Sequence, residues 1–340
     1  MKRKWLGTLL VVCGLSVFSL VASSASAAAL ALEGTDLYYV TGTSYSSIET
    51  FAAGTQFAGA GNGTAYAWEN GHMYYVHSSG ATNIGNFEAG TTYVGAGNGE
   101  GYAWENERMY HLSSSGFNDI GGFNPGTRFV GAGDGTGYAL EGTGLYRITS
   151  SGWNNVGTFA ADAQLAGAGN GTAFVLSGGR MYYLSGTSYN DIGGFNPGTT
   201  FVGAGNGIGY ALEDSTLYRI NSSGWAFAGN FTAGLPFVGA GDGTAFIWED
   251  GRMYHVDGTS FTDIGGFNPG TTFVGAEGGI GYALEGTGLY QINSSGWAPV
   301  GSLDAGTPLF STDIGQMVPE PATMSLLALG GLGVLIRRKR

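Results

Sequence analysis

Eight positions, spaced 36 residues apart, each follow a tyrosine and carry Tyr39, Tyr75, His111, Arg147, Tyr183, Arg219, His255 and Gln291. Aromatic faces stack on sugar C–H surfaces and planar donors bond hydroxyls, so this wheel predicts several equal, weak carbohydrate sites whose avidity multiplies. The plainer role for the same residues is the polar edge of a surface between repeats. Trp153, Trp225 and Trp297, 72 residues apart, are a second set of sugar platforms, with packing between repeats as the alternative. The candidate ligand-binding residues are therefore His111, Arg147, Trp153, Tyr183, Arg219, Trp225, His255, Gln291 and Trp297. Trp68, Trp104 and Trp248 alternate with leucines at another repeat position and are assigned to the core.

Other chemistries lack their signatures. A glutamate recurs at Glu33, Glu69, Glu105, Glu141, Glu213, Glu249 and Glu285, but without the Asp-rich loop that calcium requires, so solvated or bonded strand ends are expected. Gly-Ala-Gly-Asn-Gly is followed by no helix to aim an N-terminus at phosphate. The four histidines, His72, His77, His111 and His255, have no partner at ligand spacing, and adjacent carboxylates such as Glu213 and Asp214 face apart on a strand. No catalytic residue, metal or cofactor is expected, and the protein reads as a non-enzyme. The formal net charge is −12, and setting aside the seven basic residues at the termini and Glu320 in the tail leaves about −18 on the body. Such a body repels nucleic acid. Glycine makes up 65 of 340 residues, yet 43% of the chain is apolar and 13% aromatic, enough for a core and contrary to disorder or collagen.

The elements that must hold these residues follow from the same period. Gly-Ala-Gly begins at Gly59, Gly95, Gly131, Gly167, Gly203 and Gly239, with Gly275-Ala276-Glu277 at the seventh place. Tyr38, Tyr74, Tyr110, Tyr146, Tyr182, Tyr218, Tyr254 and Tyr290 mark eight copies. Within a copy, four short runs alternate with turn signals such as Asn62-Gly63 and Asp134-Gly135, where both residues tolerate positive φ. The spacing predicts four antiparallel strands per copy and an all-β, single eight-bladed β-propeller over 28–317. The first copy lacks its Gly-Ala-Gly strand and a spare strand follows the last, so the two partial repeats should pair and close the ring. A β-solenoid is the alternative, but it needs caps and no closure. Gly-Ala-Gly belongs on the innermost strand, where side chains would collide. The copies also alternate in pairs, which gives a 72-residue unit and fourfold pseudo-symmetry.

The stretch from Gly144-Leu145-Tyr146-Arg147-Ile148 to Trp153-Asn154-Asn155-Val156-Gly157 resembles the tectonin β-propeller family across the whole body. The resemblance implies a lectin that binds glycans. This chain departs from the pattern in having eight copies where six are familiar, and in placing Tyr45, Ala81, Phe117, Tyr189 and Phe261 where the other copies have tryptophan.

Both termini read as addresses. Lys2, Arg3 and Lys4, the apolar run 6–20 and the small residues Ala25 and Ala27 form a signal peptide over 1–27, to be cut after Ala27 by signal peptidase during Sec export. Cys13 lies within it, so the mature chain has no thiol. At 318–340, Pro319, Glu320 and Pro321 precede an apolar run over 322–336 and a basic end containing Arg337 and Arg338. About 15 apolar residues fall short of the usual 20 or so for a span, and the basic end would stay cytoplasmic. This tail resembles the PEP-CTERM sorting signal. The resemblance implies processing by an exosortase in a Gram-negative bacterium, with transient inner-membrane residence and delivery to the outer cell surface or extracellular matrix. The functional expectation is a non-catalytic, multivalent polysaccharide-binding propeller. A matrix protein without a specific ligand is the alternative, and a glycosidase or lyase is third.

Overall fold

The computed structural model describes residues 27–313. Ala25 of the expected signal segment, and Pro319, Glu320, Pro321, Arg337 and Arg338 of the tail, lie outside the described residues. Thirty-two strands, numbered β1 to β32 in chain order, pair into eight antiparallel sheets of four. A typical blade runs outward in chain order as β12 (Arg128–Gly133), β13 (Thr136–Glu141), β14 (Gly144–Thr149) and β15 (Gly152–Thr158). Blade 1 instead takes β1 (Ala28–Glu33), β2 (Asp36–Thr41) and β3 (Ser44–Thr50) from the N-terminal side, with β32 (Leu309–Ser311) as its innermost strand. Ala29 lies opposite Ser311 and Ala31 opposite Leu309, so the ring closes as the split repeat predicts. A solenoid would leave these two strands apart. Blades 2 to 8 then follow at 57–86, 92–122, 128–158, 164–194, 200–230, 237–266 and 272–302.

Each blade is built from local signals that agree with one another. Asn62 and Gly63 have φ of 55° and 69°, the pair of positive values that a two-residue type I′ hairpin needs, and Asn98 with Gly99 repeats it. The outer strand carries one extra residue opposite the third. In blade 4 the register slips between Leu145 and Tyr146, leaving Val156 as the bulged residue. Bulges sharpen the right-handed twist, which lets neighbouring blades stack like propeller vanes.

At the axis the fold depends on glycine. A Cβ added to Gly167 would sit 1.7 Å from the carbonyl oxygen of Gly131, and one on Gly203 1.6 Å from that of Gly167. No side chain fits there. The backbones meet directly instead, with the Gly99 N–H donating to Ala60 O at 2.8 Å and the Gly135 N–H to Ala96 O at 3.0 Å. Ser311 replaces this glycine in the closing strand, and its hydroxyl donates to Gly275 O at 2.6 Å.

The core consists of eight clusters, each shared by two adjacent blades. Leu140, Leu145 and Val156 of blade 4, for example, pack with Leu165, Val175 and Leu184 of blade 5. Burying such a side chain contributes about 1.5–3 kcal/mol, so the interfaces between blades carry most of the stability. Large phenols clamp these interfaces. Tyr66, Tyr102 and Tyr210 are fully buried, and their hydroxyls donate to the turn carbonyls of Gly99, Gly135 and Gly243 in the next blade at 2.6, 2.6 and 2.9 Å.

Burial holds the phenols of Tyr138, Tyr210 and Tyr282 up to about 12, against about 10 in an unfolded chain. A raised folded-state value means that the stabilisation is complete below pH 10 and is lost as the pH climbs from 10 towards 12. Each such phenol costs about 1.4 kcal/mol per pH unit in that window. Thermal melts across alkaline pH should therefore show a steep fall beginning near pH 10, and a Tyr138→Phe, Tyr210→Phe variant should show a shallower one.

Candidate functional site

The wheel residues lie on the third strand of each blade, and Tyr75 and Tyr183 reach the Gly99 and Gly207 turns of the next blade. His111 and His255 are each only 5% exposed. His111 Nδ1 lies 3.2 Å from Asn118 Oδ1, and its Nε2 is 3.3 Å from Glu100 Oε2. His255 packs against Phe246 with the rings tilted and 5.3 Å between centroids, and burial lowers its pKa. Arg147 and Arg219 are half-buried. One guanidinium nitrogen of Arg147 donates to Thr136 Oγ1 at 3.1 Å, while the Nε atoms of both arginines are buried without a hydrogen-bond partner. Tyr183 packs on Tyr183's neighbour Phe174 and against Gly207 of the next blade, and Gln291 bonds the Tyr282 hydroxyl. The wheel residues are thus mostly bonded within their own blades, with Tyr183 touching the turn of the next. His111 and His255 present no open face to a ligand.

The predicted tryptophans lie elsewhere, on the outermost strands. Trp153, Trp225 and Trp297 are 45%, 51% and 49% exposed, and Phe117, Tyr189 and Phe261 at the same repeat position are similar. The inner half of each ring is packed. Trp153 meets Tyr146 of its own blade edge-to-face at 5.1 Å and Phe123 of the preceding connection at 6.0 Å. Each ring also lies over a glycine of the preceding blade, where a Cβ on Gly121 would come within 2.7 Å of Trp153 Nε1 and one on Gly193 within 2.6 Å of Trp225 Nε1. The same relation joins Gly85 with Phe117, Gly157 with Tyr189, Gly229 with Phe261, Gly265 with Trp297 and Gly301 with Tyr45. Glu49 stands at this glycine's place in blade 1, and the partner in blade 2 is Ala81. A side chain beneath and a ring above exclude one another, which explains why this copy lacks its aromatic. The outcome is a belt of half-exposed rings around the rim, with the three tryptophans a quarter turn apart.

Charge on the belt is locally cancelled. Arg108 pairs with Asp119, Arg180 with Asp191 and Arg252 with Asp263 on the outer faces of blades 3, 5 and 7. Arg128 donates to Ala161 O at 2.6 Å. The six body arginines are therefore engaged with carboxylates or carbonyls, or drawn into the clefts.

The recurring glutamate, expected as a solvated or bonded strand end, is bonded. Glu141 accepts from the Asn124 N–H at 2.5 Å and Glu249 from the Thr232 N–H at 2.6 Å, tying the second strand to the connection that precedes its own blade. Glu33, Glu69, Glu105, Glu213 and Glu285 make the equivalent contact, and Ser177 Oγ does so in blade 5. Two open grooves of about 500 and 470 Å³ lie beside these ties, one near Asn268, Pro269 and Glu285, the other near Trp104, Glu105 and Pro125. None of the nine predicted ligand residues lines either groove. Among the described residues no group of three or more His, Cys, Asp or Glu side chains is arranged to hold a metal ion.

Two carboxylates escaped the sequence analysis. Glu277 and Asp313 occupy the third position of the Gly-Ala-Gly strand, which is glycine in the other blades. Glu277 Oε1 accepts from the Asn62 N–H at 2.6 Å, reaching past blade 1 from blade 8 to blade 2, while its Oε2 is buried without a hydrogen bond. Burial raises its pKa above the usual glutamate value. Their signal in the sequence is the loss of the third glycine at two successive places of an otherwise regular motif.

The closed ring of four-stranded blades and the rim of aromatic rings define an eight-bladed β-propeller. Residues 318–340 match the PEP-CTERM protein-sorting motif, so this is an exported propeller protein, held transiently in the membrane and sorted to the cell surface. Among solved structures it is similar to AztD of Citrobacter koseri, at 10% identity and a TM-score of 0.57, covering 84% of this chain and 97% of that one. It is also similar to the dihydro-heme d1 dehydrogenase NirN in complex with DHE, at 10% identity and a TM-score of 0.55, covering 84% of this chain and 74% of that one. At this identity the likeness concerns the fold alone. No curated protein matches the sequence.

Two consequences are measurable. Ala81→Trp alone should destabilise by about 1–3 kcal/mol because the ring meets Glu49, whereas Ala81→Trp with Glu49→Gly should recover most of the loss in a double-mutant cycle. Glu277→Gln keeps the bond to Asn62 but removes the buried charge. For an acid raised on folding, stability falls as the pH rises through the window above the ordinary glutamate value, so Glu277→Gln should melt higher than the parent at pH 7 and equal it in acid.

Proposed function

We propose that the protein binds polysaccharide without catalysis, through the tryptophan belt, and crosslinks separate polymer strands. The half-exposed face of Trp153, Trp225 and Trp297 is the observation that carries this reading. An aromatic ring fixed by packing on one side and open on the other supplies a rigid stacking surface at little entropic cost. Rings a quarter turn apart on a disc face different directions, so one extended strand cannot engage them all. Three weak sites would instead gather different strands, which suits a protein sorted to the cell surface. The charge of about −18 on the body, with its arginines engaged, disfavours polyanionic chains and favours neutral or amino-sugar polymers.

Co-sedimentation and turbidity measurements with neutral, amino-sugar and uronate polymers test the proposal. The expected outcome is binding and crosslinking of the first or second class, reduced about tenfold or more in the Trp153→Ala, Trp225→Ala, Trp297→Ala variant and little changed in Arg147→Ala, Arg219→Ala. Loss in the arginine variant alone would move the site to the wheel. A protein that binds none of the three classes would be a matrix component whose repeats supply a durable acidic surface, a reading favoured by the burial of His111 and His255.

A further inference from the structure

We propose that Ala27 is a structural residue of the mature propeller, so that signal peptidase cuts upstream of it, between Ala25 and Ser26, and not after Ala27. The observation is a bond that recurs around the ring. The second strand of a blade carries a buried aromatic whose hydroxyl, where present, donates to a carbonyl 33 residues further on: Tyr66 to Gly99, Tyr102 to Gly135, Tyr138 to Gly171 and Tyr210 to Gly243. Tyr282 has the same place in blade 8, and the next blade is the one assembled from both chain ends. Its hydroxyl donates to Ala27 O at 3.2 Å. Ala27 stands whole multiples of 36 residues before Gly99, Gly135, Gly171 and Gly243. The repeat position is therefore filled by the residue that the expected cleavage would discard.

The surroundings agree. Ala27 is buried and shares a cluster with Ala29, Val40, Tyr282 and Leu289, the core that joins blade 8 to blade 1. Its carbonyl also lies 3.5 Å from Thr41 Oγ1. The Gly42 N–H donates to the Tyr282 hydroxyl, just as the Gly258 N–H does to Tyr210, so beside Gln291 of its own blade the phenol is held by two groups from the blade 1 side of the seam, of which the Ala27 carbonyl is the acceptor. A cut after Ala27 would remove the acceptor from a buried hydroxyl and place a charged ammonium on Ala28, which is 0% exposed. A cut after Ala25 leaves Ser26 and Ala27 on the chain and carries the charge away from the core. The substrate requirement is still met, because Ser23 and Ala25 supply the small residues at the two positions that the peptidase reads.

The full chain should be exported from a Gram-negative host and the intact mass and N-terminal sequence of the mature protein determined. An N-terminus at Ser26, or at any residue up to Ala27, is expected. A start at Ala28 or later overturns the proposal. The structural reason is tested separately by preparing the mature protein with Ser26 first and with Ala28 first. The longer form should melt higher by about 2 °C or more, and Tyr282→Phe should lower the melting temperature of the longer form but not of the shorter. Equal melting of the two forms, or an equal effect of Tyr282→Phe on both, would remove Ala27 from the closure.

Discussion

Direct contact between backbones at the axis is the constraint on which the rest of this molecule depends. Eight inner strands approach so closely that a Cβ at Gly167 or Gly203 would overlap a neighbouring carbonyl. Glycine at that position is a requirement of geometry, even though glycine in a strand costs conformational entropy. The cost is offset across the interfaces, where each blade buries an apolar face on both sides and large aromatics fill the space that widens with distance from the axis. A taper from glycine to tyrosine to tryptophan follows from the wedge shape of a vane.

Given that packing, polar side chains are used mostly as joints. The glutamate at the end of the second strand ties its blade to the preceding connection, and the phenols reach the turn of the following blade. Arg147, Arg219, His111 and His255 are buried or half-buried beside these joints, and the bonds of Arg147 and His111 stay within their own blades. Variation among them while their neighbours hold reflects a cleft that accepts several polar fillings. Open aromatic surface is then found at the rim, where packing holds one side of a ring and leaves the other bare.

The two irregular places in the repeat are both explained by neighbours. Ala81 replaces a ring because Glu49 occupies the glycine position beneath it. Glu277 and Asp313 replace glycine at the closure, where the inner strand of blade 1 is the short Leu309–Ser311. Closure from two chain ends is a local perturbation of an otherwise uniform ring, and the sequence departs from its period where that perturbation falls.

The 36-residue period, the Asn-Gly turns and the split first copy were sufficient to derive eight four-stranded blades and their closure, because each is a local signal or an exact count along the chain. The fate of individual side chains was not legible in the same way. His111 on the third strand of blade 3 and Trp153 on the outer strand of blade 4 both sit at regular repeat positions, yet one is buried against Tyr102 and the other lies on the rim over Gly121 of the preceding blade. Ala27 reads as the end of an export signal but carries the carbonyl that Tyr282 needs. Sequence by itself determined the repeat, the turns and the C-terminal sorting motif, since these depend on residues near one another in the chain. Only the tertiary structure decided burial, partnership and exposure, since each depends on the blade that happens to lie alongside.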